Sequence, residues 1–199
     1  ARFIASRCAG NPLDSNVFAE ISRGQVEETV KIAETVCKGS TNANELLGNI
    51  RKKMSEVAAA IRDINKIEEY IHFVKNMLDS FTEVVRVKDR RELGNVFILY
   101  DTLVSQYVYL CAIKDYINHR GKSRGSALYY APDGKLIDNL PEMFRFSLDD
   151  GTSGNVVQIA GFDKTGVCTF NWRQVRPIPD EDSFFENVWR SFRETQNVY

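Results

Sequence analysis

The chain has 199 residues, 43% of them hydrophobic, with 26 Lys+Arg against 27 Asp+Glu and a formal net charge of −1. That composition suits a globular domain and excludes collagen-like, mucin-like and disordered acidic chains. Charge near zero also excludes a general nucleic-acid binder, which carries a basic excess.

Ala1 is not a methionine, and Phe3-Ile4-Ala5 opens in mid-pattern before Gly10-Asn11-Pro12, so a segment of something longer is expected. From Asp14, Val26, Val30, Ala33 and Cys37 recur on one helical face, and Gly39 follows as a stop signal. Thr41 or Asn42 can cap a second helix from Asn44 to Ile61, with the stripe Leu46, Ile50, Met54, Val57 and Ile61. Asn65 with Glu68 reads as a capping box for a third helix carrying Ile67, Ile71, Val74, Leu78, Phe81 and Val85. The longest pattern runs from about Asp89 to His119, through Leu93, Val96, Tyr100, Leu103, Tyr107, Leu110, Lys114 and Ile117. A helix of roughly 30 residues is about 45 Å long, a length that suits an antiparallel bundle.

After Gly121 the pattern changes. Glu142 to Leu148, Asn155 to Ala160 and Val167 to Val175 are short β-rich runs divided by turn signals, which predicts an antiparallel meander. Ser183 with Glu186 forms a second capping-box signature before a short helix whose Phe184, Phe185, Val188, Trp189 and Phe192 are expected to dock it. The predicted class is α+β, mainly α. Residues 1–125 form a bundle of three to four long helices, and residues 126–199 a small β-meander with a C-terminal docking helix packed on it. No apolar run of the 18 to 20 residues needed to span a membrane stands out, and an apolar signal-peptide core is missing from the first residues. A cytoplasmic location is expected.

Four cysteines, Cys8, Cys37, Cys111 and Cys168, lie far apart without metal-ligand spacing, and are expected to be reduced and structural. His72 falls on a solvent face, leaving His119 for any histidine chemistry, but Cys111 is eight residues away, about 12 Å along a helix. Gly161 to Gly166 has the glycine spacing of a phosphate loop but is followed by Val167-Cys168 instead of Lys-Ser/Thr, so a hairpin turn is the better reading. Asp149-Asp150 and Asp180-Glu181-Asp182 sit at turn or cap positions where acidic residues are common. No catalytic, cofactor-binding or metal-binding residue is assigned. The segment His119-Arg120-Gly121-Lys122-Ser123-Arg124-Gly125 is the sharper feature: either a helix C-cap with cations at the negative helix end, or a recognition loop in which arginine meets a carboxylate or phosphate.

One resemblance joins these elements. A helix containing Ile50-Arg51-Lys52-Lys53-Met54, an acidic cap, a helix from Ile67-Glu68-Glu69 to Leu78 and a long helix ending in Lys122-Ser123-Arg124-Gly125 resemble the C-terminal helical domain of the fumarate reductase/succinate dehydrogenase flavoprotein family. Aspartate oxidase and adenylylsulfate reductase are relatives. There a Glu-Ser-Arg-Gly-Ala-His-type motif closes the last helix; here Lys122 replaces Glu, and Ser126-Ala127-Leu128 lacks the histidine. The match covers roughly residues 40 to 130. Trp172-Arg173, Arg176-Pro177-Ile178-Pro179 and Phe185-Glu186-Asn187-Val188-Trp189 are similar to the tail of a bacterial branch of the same family.

The resemblance implies a parent FAD-dependent oxidoreductase that moves a hydride between flavin and substrate. This chain would brace its FAD-binding and capping domains, inactive alone and holding no cofactor itself. Ser123, Arg124, Gly125, Arg120 and Trp189 are the expected domain-interface residues, and a homo-oligomer is compatible. The rival reading is a stand-alone helical protein-protein interaction module that uses its bundle surface or its C-terminal aromatics.

Overall fold

The computed structural model describes residues 15–36, 39–163, 165–175 and 183–196. Helix α1 (Ser15–Thr35) meets the rest of the fold through its C-terminal end, where Ile32 packs on the core and Val36 is fully buried. The expected face is not the seam: Val26 and Val30 are 60% and 48% exposed, and Cys37 lies outside the described residues. Burial at this end of α1 follows Ile32 and Val36, four positions apart.

Strand β1 (Thr41–Asn42) leads into α2 (Ala43–Val57), and Asn42 caps it by accepting from Asn44 N at 2.9 Å. Leu46, Ile50 and Val57 are buried and Met54 packs beside them, as the stripe predicts. Ile61 instead belongs to β2 (Ile61–Arg62). Helix α3 (Ile64–Asp79) starts before Asn65, because Asp63 is its cap and accepts from Asn65 N at 2.9 Å. The expected box at Asn65 and Glu68 is therefore displaced by an acidic residue two positions earlier. The predicted continuation breaks at Ser80 into α4 (Phe81–Val84) and β3 (Val85–Arg86), which pairs in parallel with β1, Thr41 opposite Val85.

A 3-10 turn (Arg90–Glu92) precedes α5 (Leu93–His119), 27 residues or about 40 Å long. Helix α5 packs against α2 and α3 through Val96, Leu99, Leu103, Gln106, Leu110 and Ile113. Their alternating spacing of three and four is that of a helix-helix seam. The expected stripe shares Val96, Leu103 and Leu110 with this seam, and Leu93, Tyr107 and Ile117 pack beside it, but Tyr100 is 45% exposed. Apolar residues surround α5, Ile98, Tyr100 and Tyr109 on its outer side included, so its periodicity has little contrast. By length and composition α5 could cross a membrane, contrary to the reading of the sequence. Its buried seam is used within the fold, and Lys114 pairs with Glu68 of α3 at 2.8 Å.

Beyond α5, β4 (Leu128–Lys135) pairs in parallel with β2, Leu128 opposite Ile61. Glu142–Phe144 is a 3-10 turn, not a strand, and of the first expected run there remain two isolated bridges at Phe146, to Tyr130 and Lys135, and one at Leu148, to Ser123. The other two runs form an antiparallel hairpin of β5 (Val156–Phe162) and β6 (Cys168–Gln174). The three-stranded meander is thus a hairpin plus a strand recruited by the helical region. In α6 (Phe184–Thr195), Ser183 stands at the N-cap without bonding the backbone; Asn187 Nδ2 donates to its hydroxyl at 3.2 Å instead of the expected box. Of the residues expected to dock α6, Phe184, Phe185 and Trp189 are exposed, Phe185 at 74% and Trp189 at 52%, whereas Val188 and Phe192 are half-buried. The described elements make an α+β fold, mainly α.

Candidate functional site

At the end of α5, the N–H groups of Arg120 and Gly121 both donate to Tyr116 O, at 2.8 and 3.3 Å. Gly121 has φ +64°, the left-handed geometry of a helix C-cap. The loop that follows is held by its own fold. Ser123 is 5% exposed, and its hydroxyl accepts from Tyr129 N at 2.8 Å while donating to Tyr129 O at 3.3 Å. Its backbone N–H donates to Ser147 O at 2.7 Å, and its carbonyl accepts from Asp149 N at 2.9 Å. One serine therefore joins the end of α5, the start of β4 and the acidic turn.

That acidic turn supplies the partners of the basic loop. Lys122 Nζ lies 2.9 Å from Asp150 Oδ2; Arg124 Nη1 donates to Ser153 O at 2.7 Å, and its Nε lies 3.9 Å from Asp149 Oδ2. Asp150 also accepts from Thr152 Oγ1 at 2.6 Å and Thr152 N at 3.1 Å. The Thr152 hydroxyl, then Lys122, hold its carboxyl well below the usual carboxylate range. A carboxyl with a depressed pKa stabilises the fold above its unfolded value, near 3.8, and loses that contribution as pH falls further. Asp150→Asn is therefore expected to flatten the acid limb of a melting-temperature profile below about pH 4. An unchanged limb would show that the turn gains nothing from this charge.

Arg120 points along the other side, with its guanidinium 5.5 Å from the centre of the Trp172 ring. Trp172 Nε1 and Gln158 Nε2 donate to Asp115 Oδ2 at 3.0 and 2.7 Å, pinning the hairpin to α5. His119 Nδ1 is 3.2 Å from Asp115 Oδ1 and its ring lies 6.0 Å from Trp172. Cys111, the thiol on the same helix, is acted on by Cys168, Tyr107 and Lys114, and burial pushes its thiol up. Asp115 and Gln158 escaped the sequence reading, which named Trp172 only within the family tail; an acid inside an apolar helical run was the available signal.

Of the expected interface residues, Arg120, Ser123, Arg124 and Gly125 are thus gathered at one end of α5. Ser123 is spent inside, whereas the Arg124 side chain is 45% exposed and Gly125, with φ +59°, is exposed. Trp189 is elsewhere: it packs on Phe192 at 6.0 Å, and among the described residues no hydrogen bond or ring contact joins it to the loop.

These features define an α+β domain, mainly α, whose conspicuous surface is a basic loop braced by an acidic turn. No family model and no curated protein matches the sequence. Among solved structures, the chain is similar to E. coli quinol fumarate reductase FrdA, determined in a mutant form, with TM-score 0.54 and 17% identity. The match covers 87% of this chain and 28% of that one, so this chain spans little more than a quarter of its neighbour's length. At that identity the likeness is one of fold.

Proposed function

We propose that this chain is the C-terminal accessory domain of an FAD-dependent oxidoreductase related to fumarate reductase and succinate dehydrogenase flavoproteins, where it braces the flavin and capping domains. The observation that carries this reading is the fold similarity to FrdA, which covers 87% of the chain. The described residues do not fit FAD themselves. Their sheets are separate two-stranded pairs, and the sequence has no G-x-G-x-x-G turn to set a pyrophosphate on a helix N-terminus. No catalytic step is therefore assigned to this chain; turnover, substrate and flavin belong to the parent.

In this reading Arg124 and Gly125, still exposed once Ser123 is buried, face the other domains together with Arg120. Helix α5 lies in a domain core, not in a bilayer. The test is the reading frame upstream of Ala1, followed by expression of the whole protein. Several hundred preceding residues with a strand, G-x-G-x-x-G and helix support the reading, and a start close to Ala1 ends it. In the whole protein, Arg124→Ala is expected to lower both flavin retention and melting temperature. Unchanged flavin content would remove Arg124 from the interface.

A second reading, a stand-alone interaction module, is favoured by one observation: the exposed Phe185 and Trp189 on α6, since aromatics anchor protein interfaces. It predicts a protein partner captured by the 199-residue chain and lost on Trp189→Ala. If the flavoprotein reading holds instead, the same face is covered by the parent's other domains.

A further inference from the structure

Two thiols 57 residues apart in sequence meet where the last third of α5 touches the hairpin. Cys111 projects from α5 and Cys168 is the first residue of β6; both are free and half-buried. The Cys168 thiol and the Tyr107 hydroxyl both lie close enough to the Cys111 thiol to act on it. Cys168 is fixed from two sides. It is the register partner of Phe162, whose ring in turn packs edge-on against Tyr107 at 6.2 Å.

Both cysteines line one cavity of about 480 Å³, with Lys75 from α3 and Lys114 and Asn118 from α5 among its walls. An opening of this size admits a small thiol reagent; Lys75 and Lys114 are themselves paired with Asp79 and Glu68, so the walls do not select for charge. A pair of buried structural thiols needs no such cavity.

We propose that Cys111 and Cys168 form a dithiol site for low-molecular-weight disulfides, which convert the pair to an intramolecular disulfide that locks the β5–β6 hairpin to α5. The Cys111 thiolate attacks one sulfur of the small disulfide. Its S–S bond breaks, a mixed disulfide forms on Cys111, and the first small thiolate leaves and takes up a proton. The Cys168 thiolate then attacks the Cys111 sulfur and expels the second. Two protein thiols lose two electrons and two protons; the reagent is reduced to two small thiols. Closing requires the sulfurs to approach to about 2.05 Å.

The order of attack follows from the surroundings. Burial raises both thiols, Cys168 to about 12, whereas Cys111 is relieved by two donors and by the Lys114 charge. Lys75, Lys114 and Asp115 line the cavity, and Asp163 acts on Cys168 from the hairpin turn. The thiolate is the attacking species, so oxidation accelerates as pH rises through the alkaline range.

The site is separate from the loop at residues 120–125, and its test does not depend on the parent enzyme. The 199-residue chain is incubated with oxidised and reduced glutathione at a series of ratios, alkylated and mapped without reduction. Expected are a linked peptide pair holding Cys111 and Cys168, a mass loss of two hydrogens, and a melting temperature higher by about 5 °C or more. Cys111→Ser and Cys168→Ser abolish the link. Full alkylation of both thiols under excess oxidised glutathione, arrest at a glutathione adduct, or linkage of either thiol to Cys8 or Cys37 would each overturn the proposal. The wild-type map alone decides, so a variant that fails to fold leaves the test intact.

Discussion

Gly39→Ala is expected to destabilise the fold by about 2–3 kcal/mol, enough to lower the melting temperature by roughly 5–10 °C. A methyl group on Gly39 would stand 2.2 Å from Val85 O, 2.4 Å from Val85 C and 2.5 Å from Val84 O, all backbone atoms that cannot swing aside. The backbone there is tied down: Ser40 N donates to Val84 O at 3.0 Å, and Thr41 and Asn42 pair with Val85 and Arg86. Relief of the clash would have to part β1 from β3, and with them the join between the entry to α2 and the exit of α4. Gly48→Ala is the control. Gly48 lies within α2 with nothing within 4 Å of the added atom, so alanine there is expected to stabilise by up to about 1 kcal/mol through its helix propensity. Thermal melts of the two variants decide the matter. Equal small effects would mean that β1 and β3 yield freely.

Gly39 also illustrates what the sequence could and could not say. Gly39 itself reads as a helix stop, and a stop occurs; the reason glycine is needed is the Val84–Val85 backbone, more than forty positions away, which no local pattern encodes. The stripes of α2 and α3 were legible because their polar faces, with Arg51, Lys52 and Lys53 on one and Glu69 and His72 on the other, give the period contrast. In α5 that contrast is missing, and the seam was placed on Tyr100 and Tyr107 instead of Leu99 and Gln106. Strand β4 went unseen because Pro132 and Gly134 break its pattern and its partner is the two-residue β2, reached across the chain.

The candidate site divides the same way. Ser123-Arg124-Gly125 stood out as a motif, and the Gly121 cap followed from ordinary helix chemistry. The acidic turn and the basic loop were each noticed, but their pairing spans 28 positions for Lys122 and Asp150 and depends on β4 folding between them. Asp115 carries its partners from β5 and β6, so its role exists only once the hairpin is in place.

The core polar group gives the other large effect, expected to be strongly asymmetric. Tyr70, 3% exposed on α3, has its hydroxyl 3.0 Å from Ile50 O on α2 and 3.0 Å from Gln106 Oε1 on α5, while Gln106 Nε2 donates to Ile50 O at 3.1 Å. One phenol proton therefore serves two acceptors on two helices. Tyr70→Phe leaves the buried Gln106 oxygen without its donor and is expected to cost about 2–3 kcal/mol. Gln106→Met removes that acceptor while Tyr70 still reaches Ile50 O, so a cost below about 1 kcal/mol is expected, and adding it to Tyr70→Phe should recover much of the loss. Burial also pushes the Tyr70 phenol from 10.0 up to about 12. Its neutral form is favoured in the fold, so stability present below pH 10 is lost as pH rises toward 12. The stability difference between wild type and Tyr70→Phe, measured by urea unfolding, should accordingly shrink across that interval. A difference that stays constant, or a Gln106→Met variant as unstable as Tyr70→Phe, would show that the three helices are held by shape alone and not by this shared proton.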